Sequence, residues 1–391
     1  NAAMAGPVKR KGRKPPPLGA EDAPDGEGAR ARAQSGSRGT HWALQLLPVL
    51  VFFGFAAVVL GCIYWKFGWK IFMSPDSKRL RLGVAEWQEQ ILPLKTIVMI
   101  GGPHRGGTTV LWECLRQHED VGDFGTTFQS GSDFSEGIFL QDVYPQFGVG
   151  GEIQSMMPGG QAGKGGMGKY LFAEEELVHW TEEHPLVSEE SQARLLNSFG
   201  YHWNLSKRVL LEKSPPNMHL GRFLQAVLNQ GAPQPRSVAR FVFISRHPIA
   251  NALAHRSLRE CRDLSITDLV HHWVIAHEYL AEDFRRLDFA RNLTLEAFAQ
   301  DPAKHVAELW EFMGIGAGGA WDPASSQVQA AVQRVRRDPN AKYRGAYCRT
   351  VTSSEEDAKG HQRLVRKFNS RVQDVGLGYD LNEWHCLASI V

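Results

Sequence analysis

Net charge is nearly absent from this 391-residue chain, where 44 Lys and Arg face 42 Asp and Glu to leave +2. A balance this even excludes a gross polyanion-binding bias, so charge points to no nucleic-acid partner. Cysteine is also scarce, at five. Cys62 lies in an apolar run, and Cys114, Cys261, Cys348 and Cys386 are scattered without metal-ligand spacing, so no zinc site is visible and no metal is expected. In an oxidising lumen those four could form up to two bridges, or they could remain buried thiols, and spacing does not choose between these. Internal repeats are lacking too, which removes the solenoid architectures.

Charge is missing altogether from 42–65, WALQLLPVLVFFGFAAVVLGCIYW. At 1.5 Å per residue this run is long enough to cross roughly 30 Å of hydrocarbon, and Trp42, Tyr64, Trp65 and Trp69 suit the interfacial aromatic belt. The reading is a transmembrane helix. Residues 1–41 are expected to be a disordered basic tail, from Lys9-Arg10-Lys11-Gly12-Arg13-Lys14 through a stretch of Pro, Gly, Ala and Ser. Near the span Arg30, Arg32 and Arg38 face Lys66, Lys70, Lys78, Arg79 and Arg81, so the charge rule leaves orientation open. A stem or linker over 66–94 and a folded domain over 95–391 complete the expected organisation. The sequons Asn204-Leu205-Ser206 and Asn292-Leu293-Thr294 fit a lumenal domain.

Within the folded part, Thr96-Ile97-Val98-Met99-Ile100 is an apolar run ending in glycine, followed by helical character over Thr109–Arg116. Val209-Leu210-Leu211 and Phe241-Val242-Phe243-Ile244 repeat the pattern. Continuous apolar runs alternating with helices predict an α/β fold, a central parallel sheet flanked by helices. In such sheets ligands gather at the carboxyl ends of the strands, where Arg105, Lys213 and Arg246 all fall. Downstream, Ser265 caps one amphipathic helix, Asp301-Pro302 opens another that Gly314 stops, and a third runs from about Ser354 to Val375. The glycine-rich stretch between Gly148 and Gly168 reads as a mobile loop, either a plain insertion or a lid over an acceptor site.

Gly101-Gly102-Pro103-His104-Arg105-Gly106-Gly107-Thr108-Thr109 joins the first strand to its helix. Backbone N–H groups, the helix N-terminus and two hydroxyls make this an anion cradle resembling a P-loop. A nucleoside-triphosphate loop needs GxxxxGK[ST], and Gly107 stands where its lysine should be, which disfavours an ATPase or kinase.

The segment Pro103–Thr109 resembles the 5′-phosphosulfate loop of sulfotransferases that use 3′-phosphoadenylyl sulfate (PAPS). Leu211-Glu212-Lys213-Ser214-Pro215-Pro216-Asn217 is similar to the Glu-Lys-Ser-Pro segment of Golgi and bacterial members, with a more distant likeness to tyrosylprotein and heparan sulfotransferases. Phe241–Pro248, FVFISRHP, is similar to their strand ending in the arginine for the 3′-phosphate. The resemblance implies that Arg105, Gly106, Gly107, Thr108 and Thr109 hold the 5′-phosphosulfate and that Arg246 holds the 3′-phosphate. The family's serine eight positions on is replaced by Ala254, with Ser257 as the substitute. Asn340-Ala341-Lys342-Tyr343 resembles the loop closing over the nucleotide, which implies contacts from Lys342 and Tyr343. It implies further a single-pass Golgi membrane protein with a lumenal catalytic domain, PAPS as co-substrate and no metal.

Transfer of a sulfuryl group needs an in-line hydroxyl, a proton acceptor and cations for the leaving phosphate. Arg105 and Lys213 are the catalytic cations. The glutamate that tyrosylprotein sulfotransferases carry after the first helix would fall at Gly125 or Thr126 and is absent. Glu136, in a Ser-Glu-Gly segment like that of bacterial members, is the base of choice, with Asp123, His118 and Glu152 as rivals. A glycan hydroxyl is therefore the expected acceptor, a protein tyrosine the alternative, and a catalytically silent nucleotide-binding scaffold of the same fold the reading from a different class.

Overall fold

Strands whose residues are apolar on both sides need cover on both faces, and three of the apolar runs have it here. The computed structural model describes residues 80–125, 135–147, 166–231, 238–316, 321–384 and 386. The chain divides into Asn1–Gly68, which lies outside these, and Trp69–Val391, which contains all of them. The expected tail, the span at 42–65, most of the Gly148–Gly168 stretch and Glu152 fall outside the described residues. Among the described residues no helix is long and apolar enough to cross a membrane.

The sheet has five strands in the order β2-β3-β1-β4-β5: β1 (Thr96–Gly101), β2 (Val121–Gly122), β3 (Val209–Lys213), β4 (Ala239–Ser245) and β5 (Ala290–Thr294). Every pairing is parallel. The three expected strands are the centre, and the two edges are strands that no apolar run announces. Register sets Ile100 of β1 beside Lys213 on one side and Val242 on the other, so the cation-bearing ends of β1, β3 and β4 open onto one rim.

Apart from single turns, the helices are α1 (Thr108–Leu115), α2 (Glu189–Gly200), α3 (Gly221–Leu228), α4 (Pro248–Arg256), α5 (Ile266–Phe284), α6 (Leu295–Gln300), α7 (Pro302–Phe312), α8 (Ser326–Val332), α9 (Ala341–Val351) and α10 (Glu355–Asp374). Strand alternation sorts the core. Ile97, Met99, Leu210, Phe241 and Phe243 face α2 and α3, whereas Val98, Ile100, Leu211, Val242 and Ile244 face α1, α6 and α7. Trp310 of α7 is fully buried and donates its indole N–H to the Leu115 carbonyl at 3.1 Å, which ties α7 to the end of α1. A third apolar cluster joins α4, α5, α9 and α10.

The helix starts follow the expected chemistry. Ser265, Asp301 and Ser354 accept the N–H of Asp268, Lys304 and Asp357, satisfying donors that a helix leaves open. The expected linker over 66–94 is corrected at its C-terminal end. Residues 80–94 pack onto the domain because Trp87 is fully buried and donates its indole N–H to Asn197 Oδ1 at 3.0 Å, while Asn197 donates to the Leu82 carbonyl at 2.8 Å.

Among the described residues one bridge closes, between Cys348 of α9 and Cys386, while Cys114 and Cys261 are buried free thiols. A cross-link spanning 38 residues removes loop-closure freedom from the unfolded chain. By the chain-entropy relation this is worth about 3–4 kcal/mol. Replacing both cysteines with serine should therefore lower the melting temperature by several degrees in calorimetry, and an unchanged melt would show that the bridge carries no stability.

Candidate active site

The turn after β1 is forced by contacts as much as by sequence. Gly102 has φ +154°, and a Cβ there would stand 2.1 Å from the Ile244 carbonyl oxygen, so the loop passes too close to β4 for any side chain. Arg105 takes φ +63°, an uncommon value outside glycine, and its side chain is exposed. Gly107 is the N-cap of α1 and no side chain caps that helix, which leaves the first-turn N–H groups of α1 open for an anion.

A cavity of about 390 Å³ lies against this turn. His104, Arg105, Gly107, Thr108 and Thr109 form one wall, Glu136 and Pro215 another, and Arg246, Lys342 and Tyr343 a third. Seven of the residues singled out in the sequence as catalytic or phosphate-binding thus meet around one space with Glu136. Gly106 does not line it; its N–H donates to the Pro103 carbonyl and holds the turn shut.

Lys213 departs from expectation. It is fully buried, does not line the cavity, and donates from Nζ to Glu136 Oε1 at 2.7 Å. Glu136 is the partner that faces the space. Burial pushes the Glu136 carboxyl up, against the Lys213 charge that holds it down. On the adjacent position Glu212 is fully buried as well, and burial raises it to about 7 despite bonds from Ser214, Asn217 and the Gly137 N–H.

Arg246 is held rather than free. Its Nε donates to Asn340 Oδ1 at 2.8 Å, its terminal nitrogens donate to the carbonyls of Arg105 and Pro339, and its guanidinium lies 4.6 Å from the Tyr343 ring centroid. Asn340 in turn donates to Glu296 at 2.5 Å, and Glu296 also accepts from the His247 N–H and the Tyr379 hydroxyl. Burial raises the Tyr343 phenol, but the Lys342 and Arg246 cations outweigh it and set it below the usual tyrosine range. Arg334 and Arg336 also line the cavity and were not singled out in the sequence; their signal was a basic cluster, Arg334-Val335-Arg336-Arg337, beside the recognised Asn340–Tyr343 segment.

Other expectations are not brought here. Ser257 is exposed at the end of α4 and gives its hydroxyl to the Ala254 carbonyl at 2.6 Å, so it does not replace the serine that Ala254 displaces; Leu258 lines the cavity instead. Asp123 is paired with Arg116, and His118 packs against Trp310 and Trp321, both away from the cavity. Asn204 and Asn292 are exposed; Thr294, the third residue of its sequon, caps α6 by accepting the Ala297 N–H. Among the described residues no cluster of three His, Cys, Asp or Glu is placed to hold a metal ion.

The fold and cavity define a class: a parallel α/β protein with an anion-binding strand-loop-helix that lacks the nucleotidase lysine and has cations on the neighbouring strand ends. The chain belongs to the sulfotransferase family, whose model matches residues 98–318. Nothing matches among curated proteins. Solved structures similar to it include a sulfotransferase from Alicyclobacillus acidocaldarius, at 16% identity and TM-score 0.36 over 74% of this chain and 98% of that one. The sulfotransferase domain of the Synechococcus PCC 7002 olefin synthase gives 17% and 0.34 over 64% and 87%. A retinol dehydratase solved with retinol and PAP gives 14% and 0.35 over 76% and 86%. These overlays are loose, and membership rests on the sequence match.

Behind the phosphate loop four histidines surround Tyr170 or each other: ring centroids of His104, His219 and His272 lie 5.9, 5.4 and 4.8 Å from Tyr170, and His255 lies 6.4 Å from His104. Burial lowers all four, His255 to about 4 and His219 to about 3. Below the ordinary value of 6.5 the unfolded chain takes up protons that the fold refuses. The unfolded state then binds more protons, so the stability from these groups is lost as pH falls from 6.5 toward 4. Melting curves should drop across that window, and replacing His255 with glutamine should flatten the slope; an identical slope in the variant would remove His255 from the account.

Proposed function

We propose that the protein transfers the sulfuryl group of PAPS to a hydroxyl, with a glycan as acceptor. The observation that carries this is the single cavity in which an uncapped helix N-terminus, Arg105, Arg246 and Glu136 meet. The N–H groups and hydroxyls of Thr108 and Thr109 with Arg105 suit the 5′-phosphosulfate. Arg246, pre-set by Asn340, suits the 3′-phosphate, and Tyr343 offers a ring beside it.

The acceptor oxygen attacks sulfur as its proton passes to Glu136, and the bond from sulfur to the 5′-phosphate oxygen breaks with its electron pair going to that oxygen. Arg105 and the helix terminus favour the charge that develops there. Lys213 acts from behind Glu136. Its charge opposes the rise that burial imposes on the Glu136 carboxyl, and once Glu136 is protonated the ammonium charge is no longer matched by that partner and favours the new anion.

A Golgi lumenal setting with a single membrane-spanning helix at 42–65, a basic tail before it, and glycans on Asn204 and Asn292 belongs to the same proposal. The Cys348–Cys386 bridge supports an oxidising compartment, as do the two exposed sequon asparagines. The missing glutamate after α1 favours a glycan over a protein tyrosine.

Incubation with PAPS carrying labelled sulfate and a panel of desulfated polysaccharides and tyrosine peptides tests the acceptor; label on the peptides alone would replace the glycan reading. Product nucleotide, 3′,5′-phosphoadenosine, should raise the melting temperature, since it binds only the fold. No rise would sink the PAPS reading. Glu136→Gln should lower turnover by about a hundredfold or more while that rise persists, and near-normal turnover would remove Glu136 as base.

A further inference from the structure

Glu136 sits in a loop with little regular structure of its own. Only the short 3-10 turn Gly137–Phe139 follows it. The residue before it, Ser135, is buried and has φ +52°, a conformation that a residue with a side chain keeps only when its surroundings impose it. Something outside the loop must therefore hold it.

The neighbouring strand supplies the hold. Alternation along β3 places Glu212 on one face and Lys213 on the other, and both are fully buried. Lys213 takes the Glu136 side chain. Glu212 takes the backbone just beyond it: the Gly137 N–H donates to Glu212 Oε1 at 3.0 Å, and the Ile138 N–H donates to Ser214 Oγ at 3.1 Å, whose own hydroxyl donates to Glu212 Oε1 at 2.5 Å. The carboxylate is itself fixed from the far side by Asn217 Nδ2 at 2.5 Å, which also donates to the Ile100 carbonyl of β1 at 2.9 Å. Contact is close enough to dictate residue 137. A Cβ there would stand 2.7 Å from Glu212 Oε1 and 2.9 Å from the Phe124 ring, so only glycine lets the loop reach the strand.

We propose that Glu212 is a positioning residue, a buried carboxylate that clamps the 135–138 backbone so that Glu136 meets both Lys213 and the cavity. This rests on Glu136 as the proton acceptor of the proposed reaction. Glu212 does not line the cavity and acts through the loop. Its amide analogue cannot do the same work. A glutamine has one acceptor oxygen, so either Asn217 or the pair Gly137 and Ser214 would meet an N–H donor in place of a lone pair.

The test uses the full chain with Glu212→Gln, with Ser214→Ala, which frees the Ile138 N–H and removes one donor to Glu212 but leaves the carboxylate and its bond to the Gly137 N–H, and with Glu136→Gln alone and combined with Glu212→Gln. Hydrogen exchange over 135–140 should speed up in the first two variants while the β1 and α1 peptides keep their protection. With the acceptor found by the labelled-PAPS panel, or water where hydrolysis is followed, Glu212→Gln should lower kcat on the order of ten- to a hundredfold, the scale of a misplaced catalytic group. KM for PAPS and the melting rise with 3′,5′-phosphoadenosine should stay as in the parent. The double variant should be no slower than Glu136→Gln, since one residue acts through the other. Unchanged exchange in Glu212→Gln, a normal kcat, a nucleotide response lost together with kcat, or a further loss in the double variant each overturns the proposal. Should Glu136→Gln turn over normally, the base assignment falls, and the exchange data still decide whether Glu212 holds the loop.

Discussion

Lys213 and Glu136 form a buried ion pair that sets one wall of the cavity, with Glu136 facing the space and Lys213 behind it. Removing a carboxylate and an ammonium from water costs several kcal/mol each even after relaxation, and their attraction offsets this only where geometry and further hydrogen bonds are good. β3 meets that condition because it lies between β1 and β2, covered on both faces, so its end is fixed to the tolerance of a sheet. A buried pair of this kind is a weak source of stability. Its effect is to oppose the rise that burial imposes on the Glu136 carboxyl, with the counter-charge already in place.

On the other side of the cavity the same economy of position works through neutral and charged hydrogen bonds. Arg246 emerges from β4, Asn340 precedes α9, Glu296 belongs to α6 and Tyr379 follows α10, and each closes a bond that the next depends on. Burial lowers Arg246, but a guanidinium keeps its proton, so the result is a fixed positive charge with its donors already aimed. The two halves of the site thus differ in design. The Glu136 wall rests on a titratable pair, and the Arg246 wall on a permanent cation.

The central sheet could be read from sequence because Ile97–Ile100, Val209–Leu211 and Phe241–Ile244 are apolar at every position, which only a strand covered on both faces tolerates. The helix caps could be read because a Ser or Asp at the N-cap acts within a few residues. β5 could not: Ala290–Thr294 carries Arg291 and Asn292 on an exposed edge and has no local signature. That Arg105, Arg246 and the threonines would share one rim was legible through motif and strand-end position. Burial of Lys213 behind Glu136 was not, since it depends on a loop that approaches from 77 residues away. Ser257 failed for a local reason: its hydroxyl is spent on the Ala254 carbonyl at the end of its own helix. Glu212 stood inside a recognised motif, yet nothing in a linear pattern tells a clamp from a spacer.

The Arg246 network also has a direction in time. A chain made from its N-terminus completes the phosphate loop early, then β4 with Arg246, and only much later Asn340, Tyr379 and the cysteine that locks α9. Domains fold during synthesis as their parts emerge. Until then the guanidinium has none of these late partners, so the alignment of Arg246 depends on residues made well after it, and a change near Asn340 or Tyr379 acts on a pocket whose first residues come from the start of the domain.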